Sequence, residues 1–485
     1  MVTREQEPPE GPGTETQPGV LLREGEYGDR VIAVEPGGAE FIPLSERHGR
    51  PLQLLWTWTS PNMEFATIFV GVIAVALFGL SFWLAVLAIL IGTAAGSLTL
   101  GLLSARGPVL GVPQMVISRL GFGYWGNVLP AGINAITAGI GWFAVNSVSG
   151  AFALNTLLGW PKPLCLLIIV LVQVAIAFFG HNLVHAFERY AFPVLTIIFV
   201  IAAVIILAKA HPSAGHISVP GGSLGGFLLT TGAAFGYAVG WNPYAADYAR
   251  YLPATSNRKA IAGWAAAGLF LSCVLLEIVG AASVTIGGSH SAGAALASPT
   301  GAFTGHLPTA IADLTLLAIA LGAVAANVLN IYSGALSFVA MGIRLPLSLR
   351  RAIVALVFGV IGFIVAVFGL HNAATTYDDF LLVISYWIAP WLAVVFIDQF
   401  LRRRLSAEQV EPLLFDTRHR VWAGPIAMLA GMGISIWLFS NQTEYTGLVP
   451  THVPAVGDIT FESGFVLTAL VYLLLRRAEA ARRPA

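Results

Sequence analysis

The stretch Gly240-Trp241-Asn242-Pro243-Tyr244-Ala245-Ala246-Asp247 interrupts an apolar run, and it has an echo at Trp58-Thr59-Ser60-Pro61-Asn62-Met63-Glu64. Each carries a Trp shortly before a Pro, a small polar residue or Asn beside it, and a carboxylate three or four residues later. Proline removes a backbone donor and clashes with the preceding turn, so both segments are expected to kink or unwind there. Inside lipid, backbone groups freed at such a break are tolerated only where they face protein, a substrate or an aqueous cavity. The bland alternative is two ordinary kinked helices. Matched position, matched neighbours and matched trailing acids favour functional breaks.

That the surroundings are lipid follows from composition. Of 485 residues, 56% are apolar and only 10% charged, too little charge to cover a soluble domain of this length. The formal net charge is zero, so no global field suggests nucleic acid as a partner. Cys165 and Cys273 both lie in apolar runs and read as buried thiols rather than a disulfide or zinc site. No Cys/His ligand cluster, phosphate loop, catalytic triad or cofactor motif stands out, so an enzyme, a metal and a cofactor are not expected. Residues 1–50, rich in Glu, Pro and Gly, read as a polar, disordered or loosely packed cytoplasmic tail. Its start, MVTREQEPPE, lacks the apolar core of a signal peptide and is expected to be kept.

A helix needs about 20 mainly apolar residues to cross the hydrocarbon layer. Runs at about 53–77, 81–104, 122–158, 163–180, 191–209, 224–252, 260–287, 308–340, 352–370, 378–400, 421–440 and 460–476 give twelve candidate spans. With the N-terminus placed in the cytoplasm, the inside loops hold Arg106, Arg119, Arg189, Arg250, Arg258, Lys259, Arg344, Arg350, Arg351, Arg402, Arg403, Arg404, Arg418 and Arg420. The outside loops keep only Lys162 and Lys209. This asymmetry puts both termini on the cytoplasmic side of a cell membrane. The two breaks fall in spans one and six. A transmembrane domain over 51–478 is therefore expected to hold two five-helix repeats, about 53–209 and 224–400, and two extra helices at about 421–476.

Five motifs in order resemble the nucleobase:cation symporter-1 family, in its purine–cytosine permease branch, over about residues 40 to 480. They are GWFAVNSVSG (Gly141–Gly150), HAFERYAFP (His185–Pro193), GWNPYAADYARYLP (Gly240–Pro253), AANVLNIYSG (Ala325–Gly334) and YWIAPWLAVVFID (Tyr386–Asp398). The resemblance implies a leucine-transporter-like fold, a five-plus-five inverted repeat working by alternating access, and a planar, nitrogen-rich substrate such as cytosine or a purine. It assigns substrate stacking to Trp142 and edge hydrogen bonding to Asn146. Asn327 matches the family's helix-eight Asn, and the sixth-span break contributes Gly236, Tyr237, Gly240 and Trp241. Sodium-coupled relatives place Ser and Thr hydroxyls where this chain has Leu321 and Gly322. That departure does not carry sodium coupling over and points to a proton as the coupling cation.

The residue chemistry agrees with a flat polar ring. Such a ring needs stacking surfaces and side-chain amides, which offer both a donor and an acceptor. Trp142 and Asn146 are four apart and share a helix face. Ser60 and Asn62 lie in the first break. Asn134 and Asn330 read better as helix–helix hydrogen bonds, worth about 1 kcal/mol each. Glu64, just past the first break, and Glu277, within the seventh span, cost several kcal/mol as bare charges, so each is a candidate proton carrier as well as a candidate structural acid. Asp247 near Arg250, and Asp398 and Glu188 with their own Arg neighbours, read as ion pairs towards the cytoplasm. His181 and His185 read as solvated loop residues. The expectation is a symporter importing cytosine or a purine. Allantoin, hydantoin, uracil or a vitamin-like ring remain rivals within the family, and a passive channel or facilitator outside it.

Overall fold

Apolar runs of these lengths fold as helices because no open structure pairs every backbone group in lipid. The computed structural model describes residues 38–177, 181–213, 218–219, 221–287, 291–343, 347–370 and 373–481. Its helices are α1 in two halves, Gln53–Thr59 and Phe65–Ala76, α2 (Phe82–Ser104), α3 (Val128–Leu158), α4 (Lys162–Ala177) and α5 (His181–Lys209). The second set is α6 in two halves, Gly222–Val239 and Ala245–Ala249, α7 (Arg258–Ile286), α8 (Thr309–Ala340), α9 (Leu347–Gly369) and α10 (Ala373–Leu401). Two more, α11 (Ala423–Phe439) and α12 (Thr460–Ala481), close the chain. Among the described residues six helices are long and apolar enough to cross a membrane, and the bent α1 pair passes the same test as one span. Strand-like pairing among the described residues is confined to two isolated bridges, Gly123–Arg420 and Asn441–Thr446.

Both proline segments interrupt their helices. The halves of α1 meet at 59°, with Ser60–Asn62 as a single 3₁₀ turn, and α6 passes through another at Asn242–Tyr244. Glycine lets the halves sit close to their neighbours. A Cβ on Gly71 would lie within 2 Å of the Glu277 carbonyl oxygen, and one on Gly280 equally close to that of Ile68. The two backbones of α1 and α7 therefore touch, as small residues allow in membranes.

Two expectations change here. Helix α5 begins at His181, ten residues before the apolar run that marked its span, and so includes His181 and His185 in its first turns. The added turns are amphipathic: Glu188 and Ala191 are buried while Arg189 and Tyr190 are exposed. An apolarity window misses such a start. Second, residues 38–50 are docked rather than loose. Ala39, Phe41 and Ile42 are buried, Ile42 N–H donates to the Gly111 carbonyl, and Phe41 packs on Phe415 with ring centroids 5.5 Å apart. Arg47 donates to the carbonyls of Ile42 and Pro108, and Arg250 to that of Gly38. The strap gains its hold from three apolar side chains in a polar stretch. The remainder of the expected tail, residues 1–37, lies outside the described residues, as do Arg344 and the side chains of His181, His185, Arg350 and Arg351.

Candidate functional site

The two breaks face each other. Trp241 Nε1 donates to Asn62 Oδ1 at 2.9 Å, and Trp58 meets Trp241 edge-on with centroids 5.9 Å apart. Asn62 is further held by its own Nδ2, which donates to the Trp58 carbonyl at 2.6 Å. On the α6 side, Asn242 Nδ2 donates to Thr99 Oγ1 of α2 at 2.8 Å. Ser60 is fully buried and its hydroxyl has no hydrogen-bond partner.

Trp142 reaches this junction from α3. It ends a π-helical segment, Thr137–Trp142, a widening that recurs at functional sites because it re-aims side chains. Its ring lies nearly parallel to Trp241, at 12° and 6.5 Å between centroids, with Tyr237 and Phe380 edge-on at 5.5 and 5.1 Å. Gly240 is required by this ring, since a Cβ there would stand 2.7 Å from Trp142 Cζ2. Gly236 serves a different contact: a Cβ would stand 2.2 Å from the Leu381 carbonyl oxygen, so it sets the approach of α6 to α10. A flat ring between two indoles needs about 7 Å, twice an ordinary carbon–carbon contact of roughly 3.5 Å. The centroids of Trp142 and Trp241, 6.5 Å apart, already lie closer than that, so the two indoles must separate to admit a ring.

One turn beyond Trp142, the amides divide into two kinds. Asn327 is saturated. Its Nδ2 shares two hydrogens among the Phe143 carbonyl, Ser147 Oγ and Gln173 Oε1 at 2.9, 3.1 and 2.9 Å, and its Oδ1 accepts from Asn146 and Asn330. Asn146 gives one bond to Asn327, at 3.1 Å, and its Oδ1 is buried without a partner. Asn327 thus holds Asn146, and Asn146 keeps an unused edge. Gln173 on α4, which also donates to Ser147 Oγ, was not singled out from the sequence. Its signal was there: a lone amide in the run LLIIVLVQVAIAFF. Asn134 donates to Ser337 Oγ across α3 and α8, the helix–helix bond expected of it.

The two candidate acids sit apart from the amides. Glu64 is fully buried in extended backbone between the halves of α1, and accepts long hydrogen bonds from Ser149 and Tyr237 at 3.3 and 3.4 Å. The Tyr237 hydroxyl also meets Thr67 Oγ1 at 2.6 Å, and Thr67 donates to the Asn62 carbonyl. A chain of hydroxyls therefore runs from the acid to the first break. Gly322 of α8 makes room for this arrangement, because a Cβ there would lie 2.2 Å from the Met63 carbonyl oxygen and 2.9 Å from Glu64 Cβ. Glu277 accepts from Thr93 Oγ1 at 2.7 Å, and its other oxygen has no partner. Asp398 pairs with Arg402 at 2.8 Å, as its sequence neighbours suggested, and Asp247 accepts the Gln114 backbone N–H at 2.9 Å. Glu188 departs from expectation: it is fully buried, neither carboxyl oxygen has a hydrogen-bond partner, and adjacent Arg189 is exposed.

A cavity of about 300 Å³ adjoins these residues without containing the indoles or amides. Its walls include Phe65 and Phe69 of α1, Ser149 of α3, and Tyr377 and Phe380 of α10. Phe380 and Ser149 are the shared boundary, one against Trp142 and the other against Glu64. The two indoles pack against each other and lie outside this open space. Among the described residues no group of three or more His, Cys, Asp or Glu side chains is arranged to hold a metal ion.

Comparison with known proteins covers nearly the whole chain. Residues 41–459 match the family described as permease for cytosine/purines, uracil, thiamine, allantoin. A purine-cytosine permease of Emericella nidulans is 30% identical over 93% of this chain and 92% of its own length. A putative purine-cytosine permease of Bacillus subtilis is 28% identical over 93% and 98%. Among solved structures, Mhp1, a nucleobase-cation-symport-1 family transporter held closed with bromovinylhydantoin bound, superposes with a TM-score of 0.71 at 18% identity, covering 93% of this chain and 97% of that one. That likeness shows the all-α, leucine-transporter-like architecture.

Proposed function

We propose that this chain, which belongs to the permease family for cytosine/purines, uracil, thiamine and allantoin, imports a nucleobase, cytosine or a purine, by symport with a proton. The observation that carries the reading is the near-parallel pair Trp142 and Trp241 beside the unused edge of Asn146. A nucleobase inserted between the indoles gains two stacking faces, each worth about 1–3 kcal/mol. Its edge of alternating donors and acceptors suits an amide that is itself held in place by Asn327. Ser60 supplies a further unpaired hydroxyl at the first break. Tyr237 and Gly240 shape the pocket around Trp142, with Gly236 acting one step away through helix packing.

Proton coupling is supported by Glu64 and Glu277 and by the lack of hydroxyls at Leu321 and Gly322, where a hard cation needs oxygen ligands. Even a Ser at 322 would collide with the Met63 carbonyl. In the transport cycle, the helices around the two breaks rock against the rest of the bundle. The face bearing the loop arginines and both termini is cytoplasmic, and the membrane is the cell membrane.

The test is uptake of labelled cytosine, adenine and hypoxanthine into proteoliposomes under imposed proton or sodium gradients, with and without Trp142→Ala. Accumulation driven by a pH gradient and lost in the variant is expected. Accumulation of none of the bases under either gradient overturns the substrate, and allantoin, uracil, hydantoin and vitamin-like rings come next. Equilibration without accumulation overturns symport in favour of a facilitator.

A further inference from the structure

Glu188 has the least accounted-for environment of the acids considered above. It enters the apolar part of α5 at the end nearest the loop arginines, fully buried. Glu64 accepts from two hydroxyls and Glu277 from one, whereas both oxygens of Glu188 are without a hydrogen bond. Arg189, the partner its sequence neighbours suggested, points elsewhere because adjacent residues on a helix are about 100° apart. Helix α5 packs against the first half of α1, its break at Ser60–Asn62, α8, α7 and α4. That half of α1 also carries the buried Trp58 Nε1, a donor with no acceptor.

The charged or titratable groups on these surroundings do not neutralise a carboxylate. The first half of α1 and its break carry none. Helix α8 offers Tyr332 and, at its far end, Asp313. Helix α7 offers Cys273, Glu277 and the exposed Arg258 and Lys259, and α4 offers Cys165 and Lys162. Tyr248, in the second half of α6, lies within electrostatic reach, and its hydroxyl is engaged with the Leu329 carbonyl and Ser333. Asp247 and Arg250 flank it in sequence, with Arg250 donating to Gly38, Tyr251 and Tyr332. On α5 itself stand His181, His185, Arg189, Tyr190 and Lys209.

We propose that Glu188 is a proton-binding site that must be filled for the face bearing the loop arginines to close. A bare carboxylate without partners costs several kcal/mol in such a setting, so the packing of α1 against α5 admits the neutral acid and rejects the anion. When the first half of α1 moves off α5 and water reaches the side chain, the carboxyl O–H bond breaks. The proton passes to water and a hydrated carboxylate remains. Reclosure requires water to return a proton to that carboxyl. A hydrated Glu titrates near 4.3, so between pH 6 and pH 8 the fraction able to close falls about tenfold per unit, or about 100-fold across the window. The proposal rests on the alternating-access reading but on neither the identity of the substrate nor the roles of Glu64 and Glu277.

Hydrogen–deuterium exchange at the amides of residues 53–59, in the full chain in nanodiscs and without substrate, tests it. Rates are corrected for the intrinsic pH dependence of exchange. In the wild type the open population of this segment is expected to rise towards 100-fold from pH 6 to pH 8. In Glu188→Gln it is expected to be flat, in Glu188→Asp to rise again, and in Glu64→Gln to follow the wild type. A wild type without pH-dependent opening overturns the proposal, as does a Glu188→Gln variant that opens like the wild type. Should Glu188→Gln not fold, the wild type and Glu188→Asp decide: an absent or unequal pH dependence in the two overturns it. Failure of nucleobase uptake leaves this exchange pattern unaffected, so the two readings fail separately.

Discussion

Asn146 and Asn327 look equivalent in sequence, and their replacement by Ala separates holding from binding. The two N–H of Asn327 are shared among three acceptors on α3 and α4, and its Oδ1 accepts from Asn146 on α3 and Asn330 on α8. Inter-helix bonds in membranes average about 0.6 kcal/mol each, so the loss of two donated bonds and the one accepted from Asn146 makes Asn327→Ala cost about 2 kcal/mol, with more added for any acceptor left unpaired, such as Gln173 Oε1. Asn146→Ala breaks a single bond and costs under about 1 kcal/mol of stability. In binding the order reverses. On the proposed function, loss of the Asn146 edge is expected to remove a substrate hydrogen bond worth about 1–1.5 kcal/mol, a five- to tenfold rise in Kd for a nucleobase. Asn327→Ala raises Kd as well, but only through disorder of Asn146. The assay pairs thermal unfolding of each purified variant with equilibrium binding of cytosine or adenine. The expected result is a large Tm drop for Asn327→Ala, and a near-unchanged Tm with weakened binding for Asn146→Ala. Equal Tm losses, or an Asn146→Ala variant that binds as the wild type does, would refute the division of labour.

Other outcomes follow from the same geometry. Trp142→Ala is expected to weaken binding by about 1–3 kcal/mol, roughly 5- to 150-fold, with Trp142→Phe intermediate, as read by competition with unlabelled base. Gly322→Ser puts a Cβ against the Met63 carbonyl and is expected to cost about 1–3 kcal/mol in unfolding measurements, without creating sodium dependence in uptake. Glu64→Gln and Glu277→Gln are each to be assayed for uptake against external pH, and full wild-type pH dependence in both variants would sink proton coupling through these acids. Phe41→Ala, which empties the contact with Phe415, is expected to lower stability by about 3 kcal/mol in thermal unfolding, where a freely moving tail would give no change.

Much of the architecture was legible in one dimension because lipid imposes a one-dimensional rule. A segment that crosses must be apolar, helical and long enough, and the prolines that interrupt it must have a reason. Runs such as Phe82–Ser104 and Arg258–Ile286 therefore announced themselves, and Pro61 and Pro243 marked the breaks that bend α1 and interrupt α6. Where polarity and helicity part company the rule is silent. The start of α5 is helical but not apolar, and residues 38–50 are anchored by three buried apolar side chains, too few to register in a window.

At the candidate site, burial cost singled out Glu64 and Glu277 and the second break drew attention to Trp241, whereas Trp142, Asn146 and Asn327 were picked out chiefly by the family resemblance. Only the tertiary structure decided what each one touches. It saturated Asn327 and spared Asn146, recruited Gln173 from another helix, set Gly236 against α10 rather than the indoles, and buried Glu188 away from the arginine next to it. The physical reason is direction. Composition reports how much a side chain costs to bury, but a hydrogen bond has a partner, a distance and an angle, and those exist only once the helices are packed.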